Sequence, residues 1–238
     1  MTLLAALEQA LPIVTGPFDA AKPAAGLVVV DVVNGFATVG AGYLAPPEPN
    51  DQVIRMVGET ERLARLFLAR GQPVAAFLDT HVPGRAEPPY PPHCEQGTGE
   101  ENLVPALTWL EKEPGATLIR KDCINGFVGA IDLETGRNRM ADWVNQARLE
   151  AVVVVGICTD ICVMDFVLTL LSARNHGMMP SLKDVVVYAQ GCATYDLPLP
   201  AAKTLGLPPT ACHPQAETHH VGLYLMASRG AVLAHQIT

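Results

Sequence analysis

The run Ala151–Ile157 constrains the fold of this chain more than any other segment. It is a short, valine-rich apolar stretch with no polar alternation, which is typical of a strand buried inside a parallel sheet. Thr159 and Asp160 follow it as good helix starters, and an apolar periodic segment then continues to His176 and stops at Gly177. The pattern predicts a buried parallel strand that leads directly into a helix.

Similar apolar runs alternate with helical patterns along the rest of the chain. Further strands are predicted at 27–30, 73–78, 117–120, 184–188 and 231–234, and helices at 1–13, 51–70, 139–148, 200–205 and 213–229. Parallel strands connected by helices need helical layers on both faces of the sheet. The predicted fold is therefore an α/β, three-layer α/β/α sandwich with a mostly parallel, doubly wound and roughly six-stranded sheet.

Length and composition predict a single domain over 1–238, with an N-terminal helix and linker over 1–25 and a core over 26–238. Hydrophobic residues make up 49% of the chain and charged residues 17%, which argues against disorder. A net charge of -8 without a basic cluster argues against nucleic acid and anionic membranes as partners. Six irregularly spaced cysteines indicate reduced thiols, and the chain is interpreted as a cytoplasmic enzyme. A homo-oligomer is left open.

Ionisable side chains follow four of the predicted strands at the point where each strand ends. They are Asp31, Asp79 with His81, Lys121, and the segment from Cys158 to Cys162. Because the carboxyl ends of parallel strands meet at one edge of a sheet, these side chains are expected to lie together. Packing alone does not explain such a set, and an active site is predicted at this edge.

Cys162 is the better candidate for a nucleophile, since it falls in the first turn of the predicted helix. The field of a helix N-terminus favours a thiolate, and free backbone N–H groups there can stabilise an oxyanion. Asp31 could take the thiol proton while the ammonium of Lys121 stabilises the anions. The alternative is that Cys158 and Cys162 are both small buried hydrophobic residues.

Asp79, His81 and His93 are ligand types that suit a divalent metal with open positions for substrate. Glu87 lies between the two histidines and could bind directly or through water. The alternative is a turn-capping aspartate with two surface histidines. Aromatic side chains near these residues could wall a pocket or belong to the core: Phe36, Tyr90 and Phe127. His219 and His220 are interpreted as facing solvent or a subunit contact.

These residues, in this order, resemble the nicotinamidase branch of the isochorismatase-like cysteine hydrolase family. The sequences around Lys121 and Cys162 are most similar to those of plant-type nicotinamidases. The most specific part is the stretch with Pro91, Pro92, His93 and Cys94 followed by Gly97 and Thr98. The matching segments lie at 31–36, 79–81, 90–98, 120–127 and 156–163.

The resemblance implies a catalytic triad of Asp31, Lys121 and Cys162, and one divalent metal ion, zinc or else iron or manganese, on Asp79, His81 and His93, with Glu87 a further ligand. It implies a cis peptide before Cys158 and an oxyanion hole formed by the backbone N–H groups of Cys158 and Cys162.

The implied reaction converts nicotinamide to nicotinate and ammonia through a cysteine thioester, while the metal anchors the pyridine nitrogen. The chain departs from the commoner pattern at Cys158, Ile161 and Tyr90, which bears on the shape of the pocket. Three alternatives stay open: a hydrolase of another small amide or ureido compound, a catalytically silent binding protein, and a metallohydrolase that uses bound hydroxide.

Overall fold

The computed structural model describes residues 1–85 and 87–238. One sheet of seven strands runs through the molecule in the order β1-β7-β6-β5-β2-β3-β4, and every neighbouring pair is parallel. The strands are β1 (Gly16–Phe18), β2 (Ala25–Val30), β3 (Val74–Asp79), β4 (Ala116–Lys121), β5 (Ala151–Ile157), β6 (Asp184–Ala193) and β7 (Val232–Ile237).

Helices cover both faces of this sheet. They are α1 (Leu3–Ala10), α2 (Asn34–Ala37), α3 (Asp51–Ala69), α4 (Gly126–Gly129), α5 (Arg139–Gln146), α6 (Cys162–Asn175), α7 (Leu199–Thr204) and α8 (Gln215–Ala227), with 3₁₀ helices at Pro105–Lys112 and Pro209–Ala211. Among the described residues, no helix combines the length and the apolar character needed to cross a membrane.

The core is divided by the sheet into two layers, as the alternation of side chains along a strand requires. On one face Val153 and Val155 of β5 pack in a cluster with Phe67 of α3. On the other face Val152 and Val154 pack in a cluster with Phe166 of α6. All seven residues of β5 are buried, which explains why its sequence is a continuous apolar run.

The predicted fold class is confirmed, but the sheet has seven strands where roughly six were expected. The additional strand is β1, which pairs with β7 at the edge of the sheet within the segment expected to be a helix and linker. It has only three residues, one of them Pro17, so neither length nor alternation marks it in the sequence. Proline is tolerated there because an edge strand has one unpaired side.

The order of strands brings the predicted site residues together. From β2 the chain adds β3 and β4 on one side, and β5 then pairs with the opposite side of β2. The direction of winding reverses between β2 and β5, and such switch points leave a crevice beyond the carboxyl ends of the strands. Asp31 and the Cys158–Cys162 segment lie at that crevice, with Asp79 and Lys121 on the adjoining strands.

Candidate active site

Asp31 is fully buried and adopts the left-handed backbone conformation, with φ of 53°. Only a few per cent of non-glycine residues take this conformation, and it persists where the surrounding structure enforces it. Its backbone N–H donates to the carbonyl of Phe77, and its carbonyl accepts from Val33. The carboxylate of Asp31 has the ammonium of Lys121 at 2.8 Å from Oδ2, and the thiol of Cys162 also faces it.

Lys121 joins the two carboxylates of the site. Its Nζ lies 2.8 Å from Oδ2 of Asp31 and 2.8 Å from Oδ1 of Asp79, and its side chain is completely buried. The second contact follows from the sheet register, which places Lys121 of β4 opposite Asp79 of β3. Burial acts to lower the pKa of Lys121, but the negative charges around it outweigh burial and raise that pKa well above its ordinary value. The lysine stays an ammonium.

Cys162 is the first residue of α6 and is buried. Burial raises the pKa of its thiol well above the ordinary value, although the charge of Lys121 opposes that shift. Burial also raises the pKa of Asp31 to about 7, again against Lys121. The sequence-based expectation of a thiolate is thus not met in the resting site. The thiol keeps its proton, and the carboxylate of Asp31 faces it.

The turn between β5 and α6 presents backbone N–H groups to the site. The Ile157–Cys158 peptide bond is cis, as the resemblance implies. The carbonyl of Cys158 accepts from the N–H groups of Ile161 and Val163, which holds the turn closed. Since Cys162 begins the helix, its own N–H has no acceptor within that helix. A donor is therefore placed beside the thiol, where an oxyanion would form.

Asp79, His81 and His93 form a buried cluster in which one ligand atom from each lies within 4.8 Å of the others. Nε2 of His81 is 3.0 Å from Oδ2 of Asp79, and Nε2 of His93 is 3.2 Å from the same oxygen. Burial would raise the pKa of Asp79, but Lys121 and the two histidines hold it well below its ordinary value. The cluster offers an ionised carboxylate and two imidazoles.

These residues fit a divalent metal. A carboxylate oxygen with two imidazole nitrogens is a donor set used by zinc and by other first-row transition metals. Nδ1 of His93 lies 2.8 Å from the carbonyl oxygen of Pro91, which leaves Nε2 as the coordinating atom. Oε2 of Glu87 lies 3.6 Å from Nε2 of His81 and 3.7 Å from Nε2 of His93, so Glu87 is near enough for a further ligand.

A cavity opens onto both the thiol and the metal-ligand cluster. It is lined by Phe36, Leu44, Asp79, Glu87, Tyr90, His93, Ile124, Cys158, Ile161, Cys162 and Tyr195. The rings of Phe36 and Tyr90 have centroids 5.6 and 6.1 Å from that of His93. Two of the three predicted aromatic wall residues thus lie beside the metal-ligand cluster. The cavity therefore connects the thiol of Cys162 with the metal-ligand cluster.

Phe127 does not take the predicted place in the pocket. It lies in α4 and is buried in the cluster of core residues packed under α6, with 4% of its surface exposed. The N-cap explains this, because Oδ1 of Asn125 accepts from the N–H groups of Phe127 and Val128 and starts the helix there. Core packing, the alternative considered for each aromatic residue, is the outcome at this position.

The interpretation of His219 and His220 as solvent-facing or subunit-contact residues was wrong. Nδ1 of His219 is 2.8 Å from Oγ1 of Thr159 in the turn between β5 and α6, and burial lowers the pKa of His219 to about 4. His220 is buried and its Nε2 is 2.9 Å from the carbonyl oxygen of Leu11. Both face the protein because α8 packs against α1 and against that turn.

Sequence reasoning also missed residues that shape the site. Tyr195, Ile124 and Leu44 line the cavity although no motif marks them. Tyr195 follows β6, which was predicted to end at 188 and in fact reaches Ala193. A correct strand length would have placed Tyr195 at the same edge as Asp31 and Cys162.

Comparison with known proteins defines the class of this chain. Residues 25–232 match the isochorismatase domain, and the chain belongs to that family. Nicotinamidase 1 of Arabidopsis thaliana is 56% identical over 213 residues, which cover 90% of this chain and 86% of the relative. The resemblance predicted from the motifs is confirmed.

Solved structures share the fold. Nicotinamidase from Bacillus subtilis aligns with a TM-score of 0.65 at 20% identity, covering 89% of this chain and 99% of that one. Pyrazinamidase of Pyrococcus horikoshii in complex with zinc aligns with a TM-score of 0.61 at 20% identity, covering 89% and 98%. At this level of identity the likeness supports the architecture, while the residues of the site must be argued from their own geometry.

Proposed function

We propose that this protein hydrolyses nicotinamide to nicotinate and ammonia through a thioester on Cys162. The observation that carries the proposal is that one cavity exposes a buried cysteine, which lies with Asp31 and Lys121, and a carboxylate–histidine cluster suited to a metal. The 56% identity to a nicotinamidase over most of both chains supports the choice of amide.

Asp31 acts as the base. It removes the proton of the Cys162 thiol, and the sulfur attacks the amide carbon of the substrate. Because Lys121 remains an ammonium, it balances the negative charge that moves between the carboxylate and the sulfur. Asp31 then passes the proton to the departing ammonia, and the same carboxylate activates the water that hydrolyses the thioester.

The backbone N–H groups of Cys158 and Cys162 are proposed to hold the oxyanion of the tetrahedral intermediate. Such a donor contributes up to about 3–4 kcal/mol to stabilisation of the transition state. Their position on the turn between β5 and α6 supports this role, since neither N–H depends on a mobile side chain.

One divalent ion would be held by Asp79, His81 and His93, with Glu87 as a further ligand. When bound, the ion supplies a Lewis-acid position for the ring nitrogen of the substrate. The aromatic rings of Phe36 and Tyr90 lie beside this cluster and would hold the substrate ring. We propose zinc, with iron and manganese as the alternatives, because the donor set suits it and the related Pyrococcus horikoshii structure contains it.

A cytoplasmic location is supported by the cysteines, because all six are free thiols in the part of the chain that the structure describes.

The substrate assignment is tested by ammonia release from nicotinamide and from benzamide, which lacks the ring nitrogen. The purified protein is loaded with zinc and its metal content is measured first. Rapid release from nicotinamide and slow release from benzamide are expected. Equal rates on both amides would contradict recognition of the ring nitrogen, and no release from nicotinamide by zinc-loaded protein would overturn the proposed activity.

A further inference from the structure

A second polar cluster lies behind the pocket wall formed by Tyr195, outside the triad and the metal ligands. Its centre is His213, which is buried and stacks on the ring of Tyr195 with a centroid separation of 3.8 Å and an interplanar angle of 15°. Nε2 of His213 lies 2.8 Å from Oδ2 of Asp160, and Nδ1 lies 2.9 Å from the carbonyl oxygen of Tyr195. The cluster has no role in the chemistry described above.

Both ring nitrogens of His213 face acceptors. A neutral imidazole has one N–H, so it could satisfy only one of these two oxygens, whereas an imidazolium donates to both. The third neighbour is Oγ1 of Thr218, 3.3 Å from Nδ1, and it lies within donating distance of the carbonyl of Pro214. Asp160 also raises the pKa of His213 although burial opposes that shift. These contacts favour the imidazolium form of His213, and a cation against the face of an aromatic ring is a favourable arrangement.

The cluster fixes Tyr195 from three directions. The backbone of His213 forms a two-way bridge with that of Leu197, at 2.7 and 2.8 Å. Asp160 accepts from Oγ1 of Thr194 at 2.7 Å as well as from His213. Asp160 itself belongs to the turn between β5 and α6, two residues before Cys162. The wall that Tyr195 forms is thus tied rigidly to the turn that carries the nucleophile.

We propose that Tyr195 determines the size of the aromatic amide that the pocket accepts, and that His213 is the residue that positions its ring. The inference rests on the proposed function, because it concerns the substrate of the same pocket. Tyr195 closes the cavity beside Cys158, so its ring excludes substrates with an added fused ring. The pocket therefore selects substrates that are amides of a single heteroaromatic ring.

The selectivity claim is tested with nicotinamide and quinoline-3-carboxamide, a larger amide with the same ring nitrogen and a second fused ring. Tyr195→Ala should raise the KM for nicotinamide about tenfold with a smaller change in kcat. The ratio of kcat/KM for quinoline-3-carboxamide to kcat/KM for nicotinamide should rise by about tenfold or more. Tyr195→Phe keeps the ring and should retain the wild-type ratio. An unchanged ratio in Tyr195→Ala would overturn the claim.

The positioning claim is tested by His213→Gln and His213→Asn. His235→Gln is the control, because His235 is exposed on β7 and is not among the residues that line the cavity. Either His213 variant should raise the KM for nicotinamide about threefold and leave kcat within about twofold. In the Tyr195→Ala background the same change should add nothing, since the two residues act as one unit. Additive effects of the His213 and Tyr195 changes on KM, or a loss of kcat at unchanged KM, would contradict the positioning role of His213.

The wild-type protein separates this inference from the proposed function. If it releases no ammonia from nicotinamide, the proposed function fails before any variant is compared. If it does and the variants behave as the control does, only the inference fails. Thermal unfolding of each variant is recorded alongside. If Tyr195→Ala unfolds, Tyr195→Leu, which also removes the aromatic ring, takes its place with the same expected shift, and either His213 variant can stand for the other.

Discussion

At the scale of single residues, Lys121 decides how the site is charged. One buried ammonium lies 2.8 Å from each of two carboxylates, one beside the nucleophile and one in the metal-ligand cluster. Removing one member of a buried ion pair typically costs about 3–5 kcal/mol, since a buried charge is left uncompensated. The lysine therefore keeps Asp79 ionised for metal binding, while Asp31 retains a pKa near neutrality because burial dominates there.

The pKa of Asp31, raised to about 7, predicts the acid side of the pH profile. As a base, Asp31 must be ionised, so protonation below that pKa should lower kcat/KM for nicotinamide. Below the pKa of Asp31, kcat/KM should fall about tenfold for each pH unit. Steady-state rates from pH 5 to 9, at constant metal occupancy, measure this pH dependence of kcat/KM. A rate that stays constant down to pH 5 would contradict the assignment of Asp31 as the base.

Residues that follow strands could be predicted from the sequence, because the strands themselves are marked by valine-rich runs. Asp31, Asp79, Lys121 and Cys162 are of this kind. Tyr195 and His213 could not be found in that way, since 18 positions separate them and only their stacking in three dimensions gives them a role. Phe127 shows the opposite case, because its neighbours in sequence suggested the pocket while its N-cap directs the ring into the core.

At the scale of secondary structure, the junction of β5 with α6 depends on Gly156. Its φ is 130°, and a Cβ at this position would lie 2.1 Å from the carbonyl oxygen of Val30. Only glycine can fill the position, because a side chain would collide with the backbone of β2, the adjacent strand. The close approach of β5 to β2 thus sets the path of the chain into the turn between β5 and α6.

Gly156→Ala should destabilise the protein by about 3 kcal/mol or more, through a steric clash and an unfavourable φ. Gly58→Ala is the matched control. Gly58 is exposed within α3 and a Cβ there meets nothing within 4 Å, so this change should stabilise the protein by about 0.5–1 kcal/mol. Denaturant unfolding monitored by circular dichroism measures both. Equal stability of the two variants would show that the junction tolerates a side chain.

At the scale of the whole molecule, the site is assembled on both sides of the switch point in the sheet. Cys162 follows β5, Asp31 follows β2, and the metal-ligand residues with Lys121 belong to β3, β4 and the loop after β3. The proposed triad is drawn from three strands, β2, β4 and β5, whereas the proposed metal ligands belong to β3 and the loop after it. Because the fold brings the ligand atoms of Asp79, His81 and His93 within 4.8 Å of one another, an ion held by them would bind the folded protein more tightly than the unfolded chain.

Removal of the metal should lower the thermal stability of the protein. A ligand that binds only the folded state at a thousand times its dissociation constant stabilises it by about 4 kcal/mol. We expect dialysis against a chelator to lower the melting temperature and added Zn²⁺ to restore it. His93→Asn should abolish the response and reduce the metal content, whereas His176→Asn, at an exposed position, should change neither. A full response in His93→Asn would contradict the ligand assignment.

The central claim is that Cys162 attacks the amide, and the most direct measurement is ammonia release from nicotinamide by zinc-loaded Cys162→Ala beside the wild type. We expect loss of turnover by about 10³-fold or more with the metal retained, because Cys162 is proposed to carry the attacking sulfur and burial raises the pKa of the other thiol in the cavity, Cys158, to about 12. Cys158→Ala should keep most of the activity, because Cys158 is proposed to act through its backbone N–H. Turnover near the wild-type rate in Cys162→Ala would contradict the account and point to a nucleophile other than this thiol.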